Sequence, residues 1–135
     1  MRIAVARRNA ALDTFISAAN AGLLSLYTGT RPANADTALA GNTLLATLTL
    51  NATSFVRTDG TLTANAITSD SSADATGTVS FVRLLQSDGT TPLADFGVST
   101  STPADGTECQ LPTLSIVSGQ PVTASSLVIT FGVGA

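Results

Sequence analysis

The sequence predicts a mainly β protein: a single-domain antiparallel β-sandwich or jelly roll with one N-terminal α-helix. The first observation behind this is that the hydrophobic period is helical only over the first 21 residues. The second is that the period then changes to two, in about eight or nine short segments with turn signals between them. The third is that 135 residues, 44% of them hydrophobic, suffice for one core. We therefore divide the chain into an N-terminal helix or arm at 1–21 and a β-sandwich domain at 22–135.

The helix is predicted over residues 3–20. The apolar residues that share one face at helical spacing are Val5, Leu12, Phe15, Ile16 and Ala19. Asn20-Ala21-Gly22 predicts the end of the helix, with the glycine at the left-handed position. The chain's one cluster of cations comprises Arg2, Arg7 and Arg8, which we expect on a solvated helix face.

Short strands follow from alternating apolar residues and from turn formers. The predicted strands are 23–27, 43–50, 54–57, 61–67, 78–85, 93–98, 109–111, 114–117 and 127–131. Asp59-Gly60 and Asp88-Gly89 each predict a tight hairpin turn. Polar loops are expected at 33–42, 69–75 and 99–107. Pro112 predicts a sheet edge or a break between two of the strands, because it lacks a backbone N–H.

The residue types argue against an enzyme. The chain has no histidine and no lysine, so a serine or cysteine nucleophile would lack its usual base. Cys109 is the only cysteine, which excludes an intramolecular disulfide and, without histidine, a zinc site. We therefore expect no catalytic residue, no cofactor and no metal ligand.

Two alternatives involving carboxylates stay open at this stage. The first is a glycosidase pair, drawn from Asp70, Asp74, Asp95 and Glu108. The chain has five Phe, one Tyr and no Trp, a poor supply of rings for stacking sugars. The second is a calcium loop, because oxygen-bearing side chains recur at positions 70, 72 and 74. Ala75 and Phe81 occupy the places where such a loop needs glycine and glutamate, so a solvated turn is the favoured interpretation.

Charge and hydropathy limit the partners. Nine acidic residues against six arginines give a net charge of -3, which is unsuited to neutralising phosphates, so no nucleic acid is expected. No apolar run approaches the roughly 18 residues of a membrane helix, so no membrane is expected. Met1-Arg2-Ile3 lacks the pattern of a signal peptide, and we expect the protein to be made and kept in the cytoplasm, or assembled there into something larger.

Two stretches of the chain resemble a known family. The first comprises residues 24–37 (LSLYTGTRPANADT), followed by 44–50 (LLATLTL). The second comprises residues 66–83 (AITSDSSADATGTVSFVR). Both resemble a family of small virion structural proteins encoded by tailed phages and prophages. With the N-terminal helix and the closing segment 116–131, the resemblance covers most of the chain. This sequence departs from the family at Phe81-Val82-Arg83, which replaces a more aromatic stretch.

The resemblance implies a role rather than a chemistry, because its motifs are turns and strands. Likeness to capsid-associated members implies a head decoration (cement) protein on the surface of a phage head. The implied partners are the major capsid protein and further copies of this chain, as a homotrimer. The alternatives are a tail, neck or baseplate component, or a receptor- or carbohydrate-binding module.

Overall fold

A computed structural model describes residues 4–58, 61–100 and 107–130, with the backbone alone at 107, 108 and 130. In this part of the chain one helix, α1 (Val5–Ala19), precedes ten strands. The strands are β1 (Leu23–Tyr27), β2 (Leu44–Thr49), β3 (Phe55–Thr58), β4 (Thr61–Ala64), β5 (Gly77–Thr78), β6 (Phe81–Leu85), β7 (Pro92–Ser99), β8 (Thr107–Gln110), β9 (Ser115–Ile116) and β10 (Ser126–Thr130).

Eight of these strands form one large curled sheet in the order β2-β1-β6-β7-β8-β10-β4-β3. The other two, β5 and β9, pair with each other. Strands account for 39% of the structure and helix for 13%, which confirms the predicted mainly β, sandwich-like single domain. One pair departs from the antiparallel pattern, because β7 and β8 run parallel.

The core lies on the inner face of the curled sheet. Leu24 and Leu26 of β1 and Val82 and Leu84 of β6 are fully buried, and they are paired across the two strands. Alternate residues of a strand point to the same face, so this row makes one continuous apolar surface. Leu48 of β2 extends it, because it lies opposite Leu24.

The helix packs into this core, although the prediction of its buried face was wrong at the N-terminal end. Leu12 and Ala19 are fully buried, and the ring of Phe15 lies 6.1 Å from that of Phe55. Val5 is 54% exposed, so the first turn of the helix does not bury its apolar face. Arg8 is only 6% exposed, so the expectation of a solvated position was also wrong for this residue. The spacing 8, 12, 15 and 19 explains this burial, because these residues lie along one stripe.

The end of α1 differs from its prediction in a way that explains Gly22. Ala21, not the glycine, adopts the left-handed conformation, with φ 56°. A Cβ at Gly22 would lie 2.6 Å from the carbonyl oxygen of Leu85 and 2.8 Å from that of Ala19. Glycine is therefore required here by the close approach of two backbone segments rather than by its φ angle.

The hairpin predictions have different outcomes. Asp88-Gly89 joins β6 to β7, which pair antiparallel, and Gly89 has φ 75°. Asp59-Gly60 lies outside the described residues, but the strands on either side pair directly from Thr58 to Thr61. The predicted loop at 99–107 also falls mostly outside them.

Several predicted strands are shorter than expected, among them 114–117, which is reduced to Ser115–Ile116. The segment 78–85 is divided into β5 and β6, because Val79 and Ser80 donate their N–H groups to Leu114 and Tyr27 rather than to one neighbouring strand. The segment 61–67 ends at Ala64. Pro112 is exposed and lies between β8 and β9, where it marks a break.

Candidate functional site

Asp70, the first residue of the possible calcium loop, serves as a structural clip. Its Oδ2 accepts a hydrogen bond from the backbone N–H of Thr47 at 2.9 Å, and its Oδ1 accepts one from Ser72 at 3.0 Å. Both carboxylate oxygens are therefore engaged by backbone donors, one of them on β2. Asp74 is exposed, and its own N–H donates to the carbonyl of Leu45 at 2.7 Å. These contacts fasten the segment 68–74 along the outer edge of β2.

Asp95, another of the candidate carboxylates, is engaged in a buried ion pair. Arg83 donates from Nε to Oδ1 at 2.7 Å and from Nη2 to Oδ2 at 3.0 Å, a bidentate arrangement. The two side chains are only 7% and 6% exposed. The hydrogen bond to Asp95 raises the pKa of Arg83. A pair with this geometry satisfies both charges inside the protein.

The hairpin between β6 and β7 positions this pair. Arg83 lies directly opposite Asp95 on β7 and opposite Ser25 on β1, whose side chain is also buried. Tyr27 and Phe81 stack beside them, with ring centroids 5.5 Å apart. A polar row thus crosses three strands on the face opposite the apolar row. Counting outward from the Asp88-Gly89 turn would have brought residues 83 and 95 near each other from sequence alone, and we did not make that inference.

The remaining candidate residues are dispersed in the fold. Across residues 4–58, 61–100 and 107–130, no three His, Cys, Asp or Glu side chains are grouped as metal ligands would be. Cys109 is fully buried in β8, and the side chain of Glu108 lies outside the described set. The described part of the chain also has no helix that combines the length and apolar character needed to cross a membrane.

The aromatic rings lie mostly inside the protein. Phe55, Phe81 and Phe96 are buried, while Phe15 and Tyr27 are half-buried. Among the described residues no ring is therefore available as a flat, exposed platform, which is the arrangement that sugar-binding modules use for stacking.

The two edges of the large sheet differ in what covers them. On β2, Thr49 and Thr68 exchange backbone hydrogen bonds of 3.1 and 2.8 Å, and the Asp70 clip continues this cover. On β3, at the other end of the sheet, Val56 is 51% exposed. Arg57 of β3 is bound at 2.7 Å to Asp13 of α1. Sequence analysis missed this contrast, because strand order is needed to know which strands are edges.

An apolar groove of about 250 Å³ lies around β9. Its walls include Pro112, Ile116, Pro121 and Val122, together with Val117, which is 52% exposed. In this region the sequence predicted a strand at 114–117 and a break at Pro112, but not a groove.

Comparisons of the chain with protein-family models, with curated proteins and with solved structures found no match.

Proposed function

We propose that this chain is a structural virion protein of a tailed phage, most specifically a decoration protein that stabilises the head by binding the major capsid protein. The observation that carries the proposal is the resemblance of residues 24–37, 44–50 and 66–83 to small virion proteins. In the fold these stretches lie next to one another, so one shared part of the sheet can account for the whole resemblance.

These separate stretches form one contiguous unit. Strand β1 from the first stretch lies between β2 and β6, with Leu26 opposite both Ala46 and Val82. Asp70 from the second stretch is clipped onto β2. A family that shares this part of the sheet would retain all of these segments, because they are adjacent in space although they are distant in sequence.

On a head, we propose that the chain acts as a homotrimer at positions where capsid subunits meet. A symmetric trimer contacts several subunits at once, so avidity adds to weak individual contacts. Charged residues make up only 11% of the chain, and the ion pairs Arg57–Asp13 and Arg83–Asp95 are internal to it. We therefore expect contacts of mainly polar and apolar character, with binding that depends only mildly on salt.

The N-terminal helix is a poor choice for a detachable capsid-binding arm. Leu12 and Ala19 are fully buried in the common core, and Ser54 bonds to both the Asn20 side chain and the Ile16 carbonyl. Deletion of residues 1–21 would remove part of the core, so loss of head binding in that variant would carry no information about the contact. Surface substitutions are the appropriate tools.

A carbohydrate-binding role is less well supported than decoration. Such modules present aromatic rings to the sugar, and the described rings of this chain are buried or half-buried. A tail, neck or baseplate position is compatible with the same building-block properties, so the position in the particle is what the experiment must determine.

The test is to locate the protein in intact particles of the phage whose structural genes include this chain. Density mapping or immunogold labelling is expected to place it on the head surface. In parallel, purified protein added to heads that lack it should bind and raise their melting temperature, by linkage of binding to stability. Finding it only on the tail, neck or baseplate would overturn the decoration role, and its absence from purified particles would overturn the virion role.

A further inference from the structure

The free edge of β3 presents the backbone of two residues. Asn65 donates its N–H to the carbonyl of Ser54 at 2.9 Å, and the register pairs Val56 with Thr63 and Thr58 with Thr61. In an antiparallel ladder the backbone groups of alternate residues point to opposite sides. Those of Val56 and Thr58 therefore face β4, while the N–H and C=O groups of Phe55 and Arg57 face away from the sheet.

This edge is short, but it lacks several of the features with which proteins block strand pairing. It carries no lysine and no proline, and within the described residues no other segment pairs with it. Its one charge, Arg57, is neutralised by Asp13 at 2.7 Å. Val56 is 51% exposed. The opposite edge of the sheet, in contrast, is covered by the segment 68–74.

We propose that the free edge of β3 pairs antiparallel with β3 of a second copy of this chain, about a two-fold axis at Val56. Phe55 of each copy then lies opposite Arg57 of the other. These are hydrogen-bonded positions, so each of the two pairs exchanges two N–H···O=C bonds. Every outward backbone group of Phe55 and Arg57 gains a partner.

In this register the edge is complementary to a second copy of itself. The exposed valine meets itself at the axis, in a non-hydrogen-bonded position where the two Cα atoms are about 4.5 Å apart and the side chains touch. The two arginines lie on opposite sides of the axis, roughly 7 Å apart along the strands. Each stays close to its own Asp13, so like charges are kept from direct opposition.

Four residues on each side make a small interface, so the association is weak and depends on concentration. The pairing does not depend on the proposed position on a head. An isologous contact joins one copy of the chain to one other, so a chain that is otherwise monomeric becomes a dimer. If trimers form through another face, the same pairing links neighbouring trimers across two-fold axes, and a crowded lattice raises the effective concentration.

The first experiment measures mass by sedimentation of the full chain from about 10 μM to about 1 mM, a range suited to weak association. The wild-type chain is expected to double in mass across this range. Val56→Lys places two ammonium groups against each other at the axis and should raise the dissociation constant of the doubling step at least about tenfold. The control, Val117→Lys, changes a valine of similar exposure (52% against 51%) away from the edge and should behave as wild type.

The second experiment tests the register itself. Val56→Cys should form a disulfide between two copies under mild oxidation, because a Cα separation of about 4.5 Å is within disulfide range. Val117→Cys should not, and the native Cys109 is fully buried and should not compete. A wild-type chain that stays undoubled at about 1 mM, doubling that survives Val56→Lys, or a Val56→Cys chain that forms no more cross-link than Val117→Cys would each overturn the pairing.

Discussion

Removing the carboxylate of Asp95 tests how strongly the buried ion pair contributes to the stability of the sheet. Asp95→Ala leaves the guanidinium of Arg83, whose side chain is 7% exposed, without its bidentate partner. Breaking a buried pair from one side typically costs about 3–5 kcal/mol. Since a domain of this size is stable by about 5–15 kcal/mol, we expect a large fall in the free energy of unfolding. Urea titration followed by circular dichroism measures that fall directly.

The double variant Arg83→Met/Asp95→Leu distinguishes the cost of an unpaired buried charge from the cost of changing side chains at this buried position. With both charges removed and apolar side chains of similar size in their place, the loss should shrink to about 1 kcal/mol or less. The matched control is Asp13→Ala. Asp13 contacts Arg57 through the same atoms at the same 2.7 Å, but its side chain is 57% exposed. An exposed pair of this kind contributes about 0–1 kcal/mol.

The three variants together can refute the reasoning. Burial is the wrong explanation if Asp95→Ala costs no more than Asp13→Ala. A double variant as unstable as Asp95→Ala would mean that the cost comes from the shape of the site and not from an uncompensated charge.

Three further predictions follow from local geometry. The hydrogen bond from the Thr91 hydroxyl, together with those from the backbone N–H groups of Thr91 and Thr90, lowers the pKa of Asp88 from 3.8 to about 2. The stability that Asp88 contributes should therefore be complete above pH about 4 and lost as the pH falls toward 2. NMR titration of the Asp88 carboxyl should give that low midpoint, and Thr91→Val should raise the midpoint. An unchanged midpoint in Thr91→Val would mean that the Thr91 hydroxyl does not lower the pKa. Gly22→Ala should lower the free energy of unfolding by about 1–3 kcal/mol, because the added Cβ would lie 2.6 Å from a backbone carbonyl oxygen of β6. An unchanged free energy of unfolding in urea titration would contradict this close approach. Leu12→Ala should cost about 2–5 kcal/mol in the same assay and Val5→Ala within about 0.5, whereas equal costs would mean that α1 lies outside the core.

The sequence was most informative where structure is decided by neighbouring residues. The helical period up to Ala19, the change to alternation after Gly22 and the turn at Asp88-Gly89 all predicted elements that the structure contains. Each depends on side-chain spacing or φ preference over a few residues. The division of 78–85 into two strands was missed, because the partners of Val79 and Ser80 come from distant segments.

The hydrophobic period predicted a mainly β chain, and the composition showed few charges and one cysteine. Only the tertiary structure decided what those residues do. Asp70 and Asp95 read alike in the sequence. In the fold, one is a clip on the backbone of β2 and the other half of a buried ion pair. Likewise, nothing in the order of residues shows that β2 forms a covered edge of the sheet and β3 an open one. Strand order depends on hydrogen bonds between segments far apart in the chain, which local periodicity does not encode.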